Sequence, residues 1–323
     1  MRRTLSLVAA LAATLVLASP VGAITNGGPD TVNGLPGGQP EHPYVGELLF
    51  YVPDVPSARF TDPGGWFTCS ATLLNSATLG RTVIVTAGHC TFGVGLNSVS
   101  TTNGGKITDA AHGGVGGNDI WISFNEHPNF GILPPSSTFT TQAARYAAWS
   151  AALNGSSEWH RGTATPHPLY DVNAFFVHDA GVVTLSSIPS EVAGNGRIAP
   201  LNWLERYRSQ ARSTQRFETV GYGTERIQGK KEFGGDTRLQ SHPKLNSLNG
   251  NPKNTYIVIS NNTATGGTCF GDSGGPTFDN TSSNVVVAVT SWGQSPNCGG
   301  IGGAYRLDQA DDQAFLGSFG VHP

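Results

Sequence analysis

The stretch Thr268-Cys269-Phe270-Gly271-Asp272-Ser273-Gly274-Gly275-Pro276 restricts this chain more than any other. Three glycines, an acid and a proline around one serine suit neither a helix nor an ordinary strand. Glycine tolerates backbone conformations that a Cβ forbids, so the segment reads as a tight, exposed loop presenting the Ser273 hydroxyl. Such a loop can also aim backbone N–H groups at one point, which stabilising an oxyanion requires. Taken alone, Gly-Asp-Ser-Gly reads more simply as a glycine-rich surface turn. Two distant segments change that reading. One is Val83-Ile84-Val85-Thr86-Ala87-Gly88-His89-Cys90; the other is His178-Asp179 heading the apolar run Ala180-Gly181-Val182-Val183-Thr184-Leu185.

A serine hydroxyl is a weak nucleophile at neutral pH and needs a base beside it. Histidine can take and return the same proton near pH 7, and a buried carboxylate fixes its tautomer. Together the three motifs resemble the chymotrypsin-like (trypsin-fold) serine proteases. The resemblance implies a catalytic triad of His89, Asp179 and Ser273, with oxyanion donors from the backbone N–H groups of Gly271 and Ser273. Asp171 is the alternative acid, but only Asp179 heads an apolar run. Gly88 stands where the family usually has alanine, and Tyr222 in Val220-Gly221-Tyr222-Gly223 stands where tryptophan is usual.

Four cysteines allow three pairings, and their spacing does not choose among them. The resemblance favours Cys69–Cys90 and Cys269–Cys298. No Cys-x-x-Cys pair is present, so no metal site is expected from the cysteines, and no cofactor is expected. Ser291-Trp292-Gly293 resembles the family's substrate-binding strand. Gly267, six residues before the serine, matches the base of the specificity pocket, next to Thr268 and near Phe270; Gly293 and Gly303 match its walls. Gly267 supplies no carboxylate, so the preferred residue before the cleaved bond is expected to be large and apolar or aromatic.

Composition agrees with a turn-rich, all-β chain. Its 323 residues include 43 glycines and 20 prolines, and a net charge of −3 with 13% charged residues gives no basic stripe for nucleic acid. The expected fold is two packed six-stranded Greek-key β-barrels, with the active site in the cleft between them and a short C-terminal helix. Strands are expected at Val45–Tyr51, Thr68–Leu74, Thr82–Thr86, Ile120–Phe124, Val182–Leu185, Glu218–Tyr222, Tyr256–Ser260 and Val285–Trp292. Alanine-rich Thr141–Leu153 reads as a helix stopped by Asn154-Gly155, and Asp308 as the N-cap of the closing helix.

Arg2-Arg3, an apolar core from Leu5 to Leu17 and Val21-Gly22-Ala23 have the form of a secretory leader. The expected organisation is therefore a signal peptide over 1–23, an N-terminal arm over 24–43, a first barrel with His89 and Asp179 over 44–205, and a second barrel with Ser273 and the helix over 206–323. Cleavage after Ala23 would free Ile24, whose ammonium is a candidate partner for Asp272. The leader's core is too short to span a bilayer. The expected product is a secreted monomer acting on peptide or protein, without membrane or nucleic-acid partners. A trypsin-fold protein that binds without cutting, and an esterase with the same nucleophile, are the rival functions.

Overall fold

Short runs rich in valine, isoleucine and threonine, broken by glycine and proline, bury their side chains best on a pleated surface. The structure, a computed structural model, describes residues 27–32, 34–53, 55–74, 82–96, 117–174, 177–208, 214–250, 255–279 and 283–323. Six runs close a barrel: β1 (Val45–Val52), β2 (Gly65–Leu74), β3 (Thr82–Thr86), β4 (Ile120–Ser123), β5 (His160–Pro166) and β6 (Gly181–Leu185). All pair antiparallel in the order β1-β2-β3-β6-β5-β4, and β4 returns to β1. Closure removes the sheet edges and buries Leu48, Leu73, Val85, Ile122 and Val183 in one core.

The second half differs in detail from the expected closed barrel. β7 (Glu218–Gly221), β8 (Leu239–Ser241), β9 (Leu245–Gly250), β10 (Tyr256–Asn261), β11 (Pro276–Phe278), β12 (Val285–Gly293) and β13 (Gly300–Arg306) curl into one sheet in the order β8-β7-β11-β12-β13-β10-β9. Two short pieces complete it as a nine-stranded sheet: Gly28–Pro29 pairs with β8, and Arg197–Ile198 lies parallel on β12. Neither β5 nor β13 is apparent in the sequence. His160–Pro166 lacks an alternating pattern and Gly300–Arg306 is glycine-rich, yet each lies between two partner strands that take up its backbone hydrogen bonds.

The helix α1 (Gln142–Asn154) forms where alanine dominates. Thr141 caps it by accepting from Ala144 N–H at 3.2 Å, and Asp62 accepts from the N–H groups of Gln142 and Ala143. Tyr146 and Trp149 lean on Trp66, which packs against Trp121, so the long connection between His89 and Asp179 is docked on the barrel wall by aromatic contact. The closing helix α2 (Ala310–Gly317) corrects one expectation: Gln309 is its N-cap. Asp308 turns inward instead, accepting from fully buried Arg306 and from Leu204 N–H, because a buried guanidinium needs a carboxylate. Residues 1–23, Ile24 and most of the polar loop after Phe92 lie outside the described residues.

Tyr222 joins the two halves. Its hydroxyl lies 3.0 Å from Val45 O and 2.8 Å from Asn125 O on the barrel side, and accepts from Arg238 Nη1 at 3.2 Å. Burial keeps the phenol well above its ordinary pKa, so it remains a donor. Tyr222→Phe is expected to lower stability by about 1–2 kcal/mol, measured as a shift in the urea midpoint without a change in slope.

Candidate active site

β3 delivers His89. The strand ends at Thr86, and a single 3-10 turn over Gly88–Cys90 follows, closed by Thr91 Oγ1 donating to Gly88 O at 2.9 Å. Cys90 is fixed to β2 by the Cys69–Cys90 disulfide. β6 delivers Asp179. Thr86 pairs with Gly181, so the antiparallel register carried two residues past the strand sets Asp179 across from the histidine turn. His178 turns the chain sharply there, at φ 51°.

Asp179 is fully buried, and a buried carboxylate needs donors. It receives three: His89 N–H at 2.9 Å, His89 Nδ1 at about 3.0 Å, and Ser291 Oγ at 2.6 Å. A carboxylate only accepts, so Nδ1 carries a proton and Nε2 points its lone pair elsewhere. Burial lowers the pKa of His89, but the charge and hydrogen bond of Asp179 outweigh it and raise the pKa above the ordinary 6.5.

The serine loop comes from the other half. Gly271 sits at φ +96° and Gly274 at φ +77°, and a Cβ on Gly274 would meet Thr86 Oγ1 at 1.9 Å. The loop therefore presses directly on the end of β3. Ser70, on β2, ties it down from the barrel side: its N–H donates to Ser273 O at 2.8 Å and its hydroxyl to Gly271 O at 3.0 Å, while it accepts from Tyr222 N–H. Phe270 C=O accepts from Thr224 N–H, and a planar trans peptide then turns Gly271 N–H the opposite way. Neither that N–H nor the one on Ser273 has an internal acceptor among the described residues. Asp272 accepts from Gly223 and Cys269 N–H groups, and burial pushes its carboxyl up to about 7 against those two bonds.

Ser273 and His89 line the same cavity of about 520 Å³, walled by Phe50, Val52, Phe67, Phe92 and Tyr170. Both side chains face that one cavity, and no hydrogen bond joins them; catalytic hydrogen bonds are commonly open in sites without substrate. On the other side of Ser273 is a cleft of about 290 Å³. Thr268, Phe270, Ser291, Trp292 and Gly293 line it, with the Cys269–Cys298 disulfide, and no charged side chain is among its described lining residues. Gly267 and Gly303 do not line it. The first backs onto Asn261, whose Nδ2 donates to Thr268 O, and the second lies under the Trp292 indole. Asp171 is not brought to His89; its carboxylate accepts from Asn173 N–H in a local turn.

Ser70 and Asn261 carry no sequence signal of their own beyond Ser70 following a cysteine. The arrangement combines a serine, a histidine oriented by a carboxylate, and two unspent N–H donors. That is equipment for acyl transfer.

A sequence model of the family described as Trypsin matches residues 144–312, a little over half of the chain. The matched region contains Asp179 and Ser273 and excludes His89. The fold is similar to HL collagenase, solved at 1.7 Å resolution: TM-score 0.57 at 13% identity, covering 93% of this chain and 100% of that one. It is also similar to neuropsin, a serine protease expressed in the limbic system of mouse brain, with TM-score 0.50 at 15% identity, covering 86% and 94%. No curated protein matches the chain.

The structure explains why residue 88 is glycine. A Cβ there would sit 2.8 Å from the Tyr170 ring and 3.1 Å from Ala180 O. Gly88→Ala is expected to cost about 1–3 kcal/mol by overpacking, and Gly88→Ala with Tyr170→Leu to recover part of that. Thermal melts of the three proteins check it.

Proposed function

Because the chain belongs to the trypsin family of serine proteases, we propose that it is a secreted endopeptidase with a triad of His89, Asp179 and Ser273. The observation that carries this reading is the pair of bonds from one buried carboxylate to His89 N–H and Nδ1, which aims the imidazole at the cavity bordered by Ser273. Ser273 Oγ attacks the scissile carbonyl carbon while His89 Nε2 takes its proton. The carbonyl oxygen, now negative, accepts from Gly271 and Ser273 N–H. The imidazolium, held by Asp179, returns the proton to the leaving amine and an acyl-enzyme remains. Water then repeats the sequence and frees Ser273.

Two features support export and substrate choice, one for each. The two disulfides suit an oxidising compartment. The 290 Å³ cleft offers Trp292 and Phe270 to an apolar side chain and no carboxylate to a basic one. Burying an unpaired guanidinium costs several kcal/mol, whereas an apolar side chain gains about 1.5–3 kcal/mol. Peptides ending in Phe or Leu should therefore exceed those ending in Ala by tens- to hundreds-fold in kcat/KM. A preference for Arg would overturn the pocket assignment.

Ser273→Ala and His89→Ala should each abolish amide hydrolysis almost as fully as the double variant, and Asp179→Asn should lower kcat by about 10⁴. A serine-directed phosphonate should label the parent protein and leave Ser273→Ala unlabelled. Absence of labelling in the parent would favour a non-cutting binder. Turnover of short esters without turnover of casein would favour an esterase.

The pH dependence follows from His89. The base works only when neutral, so activity is lost as pH falls through its pKa, which Asp179 holds above 6.5. The acid limb of kcat/KM should have its midpoint above 6.5. In Asp179→Asn the residual activity should titrate at lower pH, since the raising charge is gone.

A further inference from the structure

The N-terminal arm carries a second cluster of ionisable side chains, sharing no residue with either cleft beside Ser273. His42 is buried at its centre, stacked on Phe278 at 4.7 Å and met edge-on by Tyr44. Its Nδ1 lies 2.6 Å from Asp30 Oδ1 and donates to it. Asp30 is in turn held by Arg238 Nε at 2.7 Å and by His42 N–H at 3.1 Å. Burial pushes the Asp30 carboxyl up, but His42 and Arg238 prevail and hold it below its ordinary value.

With Nδ1 committed, Nε2 is the free face of the ring. It looks toward Glu218, whose Oε2 is 3.8 Å away. Glu218 is 1% exposed, and that oxygen has no hydrogen-bond partner. Its other oxygen faces His242 Nε2 at 3.3 Å. Half-buried Glu41 closes the group: one ligand atom each from Glu41, His42 and Glu218 lie within 4.8 Å of one another.

We propose that Glu41, His42 and Glu218 bind one divalent transition-metal ion of the zinc class, with Asp30 and His242 as supports. An imidazole whose second nitrogen donates to a carboxylate is the usual form of a metal-bound histidine. One imidazole with two carboxylates suits zinc better than calcium or magnesium, which prefer all-oxygen sites. Arg238 is spent on Asp30. Among the described residues Glu41 has His42 and Gln240 beside it, and Glu218 has His242, with Arg216 next to His242. A dication would bring the two carboxylates together at the Nε2 face of His42. Zinc bonds of about 2.0–2.2 Å require donor atoms closer than 4.8 Å; Glu41, on the open side of the cluster, is the ligand placed to move inward. The ion would fasten the arm to β7, the strand that runs into Val220-Gly221-Tyr222-Gly223 and so to the Asp272 hydrogen bond.

The other histidine cluster, His167, His178 and Asp311, is less suited. Its two rings stack at 5.0 Å and 8°, so a single ion cannot lie in both ring planes.

The test uses the full chain stripped with a chelator and titrated with zinc chloride. One zinc per chain is expected by elemental analysis, with a rise in Tm on the order of 5 °C at saturation that equimolar calcium does not reproduce. Glu41→Gln, at a half-buried position, should fold normally, bind zinc at least tenfold more weakly and lose the Tm rise. Glu218→Gln should do the same. The proposal fails if the parent protein binds no zinc, if both variants bind like the parent, or if affinity is lost on His178→Gln or His89→Ala instead.

Discussion

The rest of the site depends on the burial of one carboxylate. Asp179 has no access to water, so every donor it needs must come from the protein. Two come from the histidine turn of the barrel and one from Ser291 of the curled sheet. The same three bonds therefore orient His89 and fix the two halves of the molecule against each other. An unpaired carboxylate at this depth would cost several kcal/mol, which makes the register between β3 and β6 and the approach of β12 mutually dependent.

A second set of bonds carries the serine loop. Ser70 holds the carbonyls of Gly271 and Ser273 from the barrel side, and Gly274 admits Thr86 where any side chain would collide. In the two peptide units concerned, Phe270 C=O is taken by Thr224 N–H and Asp272 C=O by Gly275 N–H, and the N–H groups of Gly271 and Ser273 have no acceptor among the described residues. The donor pair is thus a consequence of where the neighbouring carbonyls are spent, and the loop is shaped by contacts to both halves.

Polar groups also organise the far side of the seam. Tyr222 reaches Val45 and Asn125, while Arg238 bonds Val45 O, Phe124 O and Asp30. Through Asp30 this network continues to His42 and the arm, which joins the sheet as Gly28–Pro29 on β8. The arm is therefore coupled to the strands that lead to Asp272, and an ion at His42 and Glu218 would act on the stability of that frame.

Some of this is determined by the sequence alone. β-branched runs between glycine and proline make β1, β3, β6, β10 and β12 strands, and alanine content makes α1 a helix, because these are local preferences. Ser273 in its glycine loop and His89 in its cysteine-anchored turn stand out for the same reason: each is a contiguous pattern. Other features arise only from packing. β5 and β13 are strands because partners flank them, Asp308 faces Arg306 because that guanidinium is buried, and Gly303 is covered by Trp292. Ser70, Asn261 and the Asp30–His42–Glu218 group are polar residues without a motif, brought together from positions far apart in the chain. Their roles depend on which buried atoms lack another partner, and only the tertiary structure decides that.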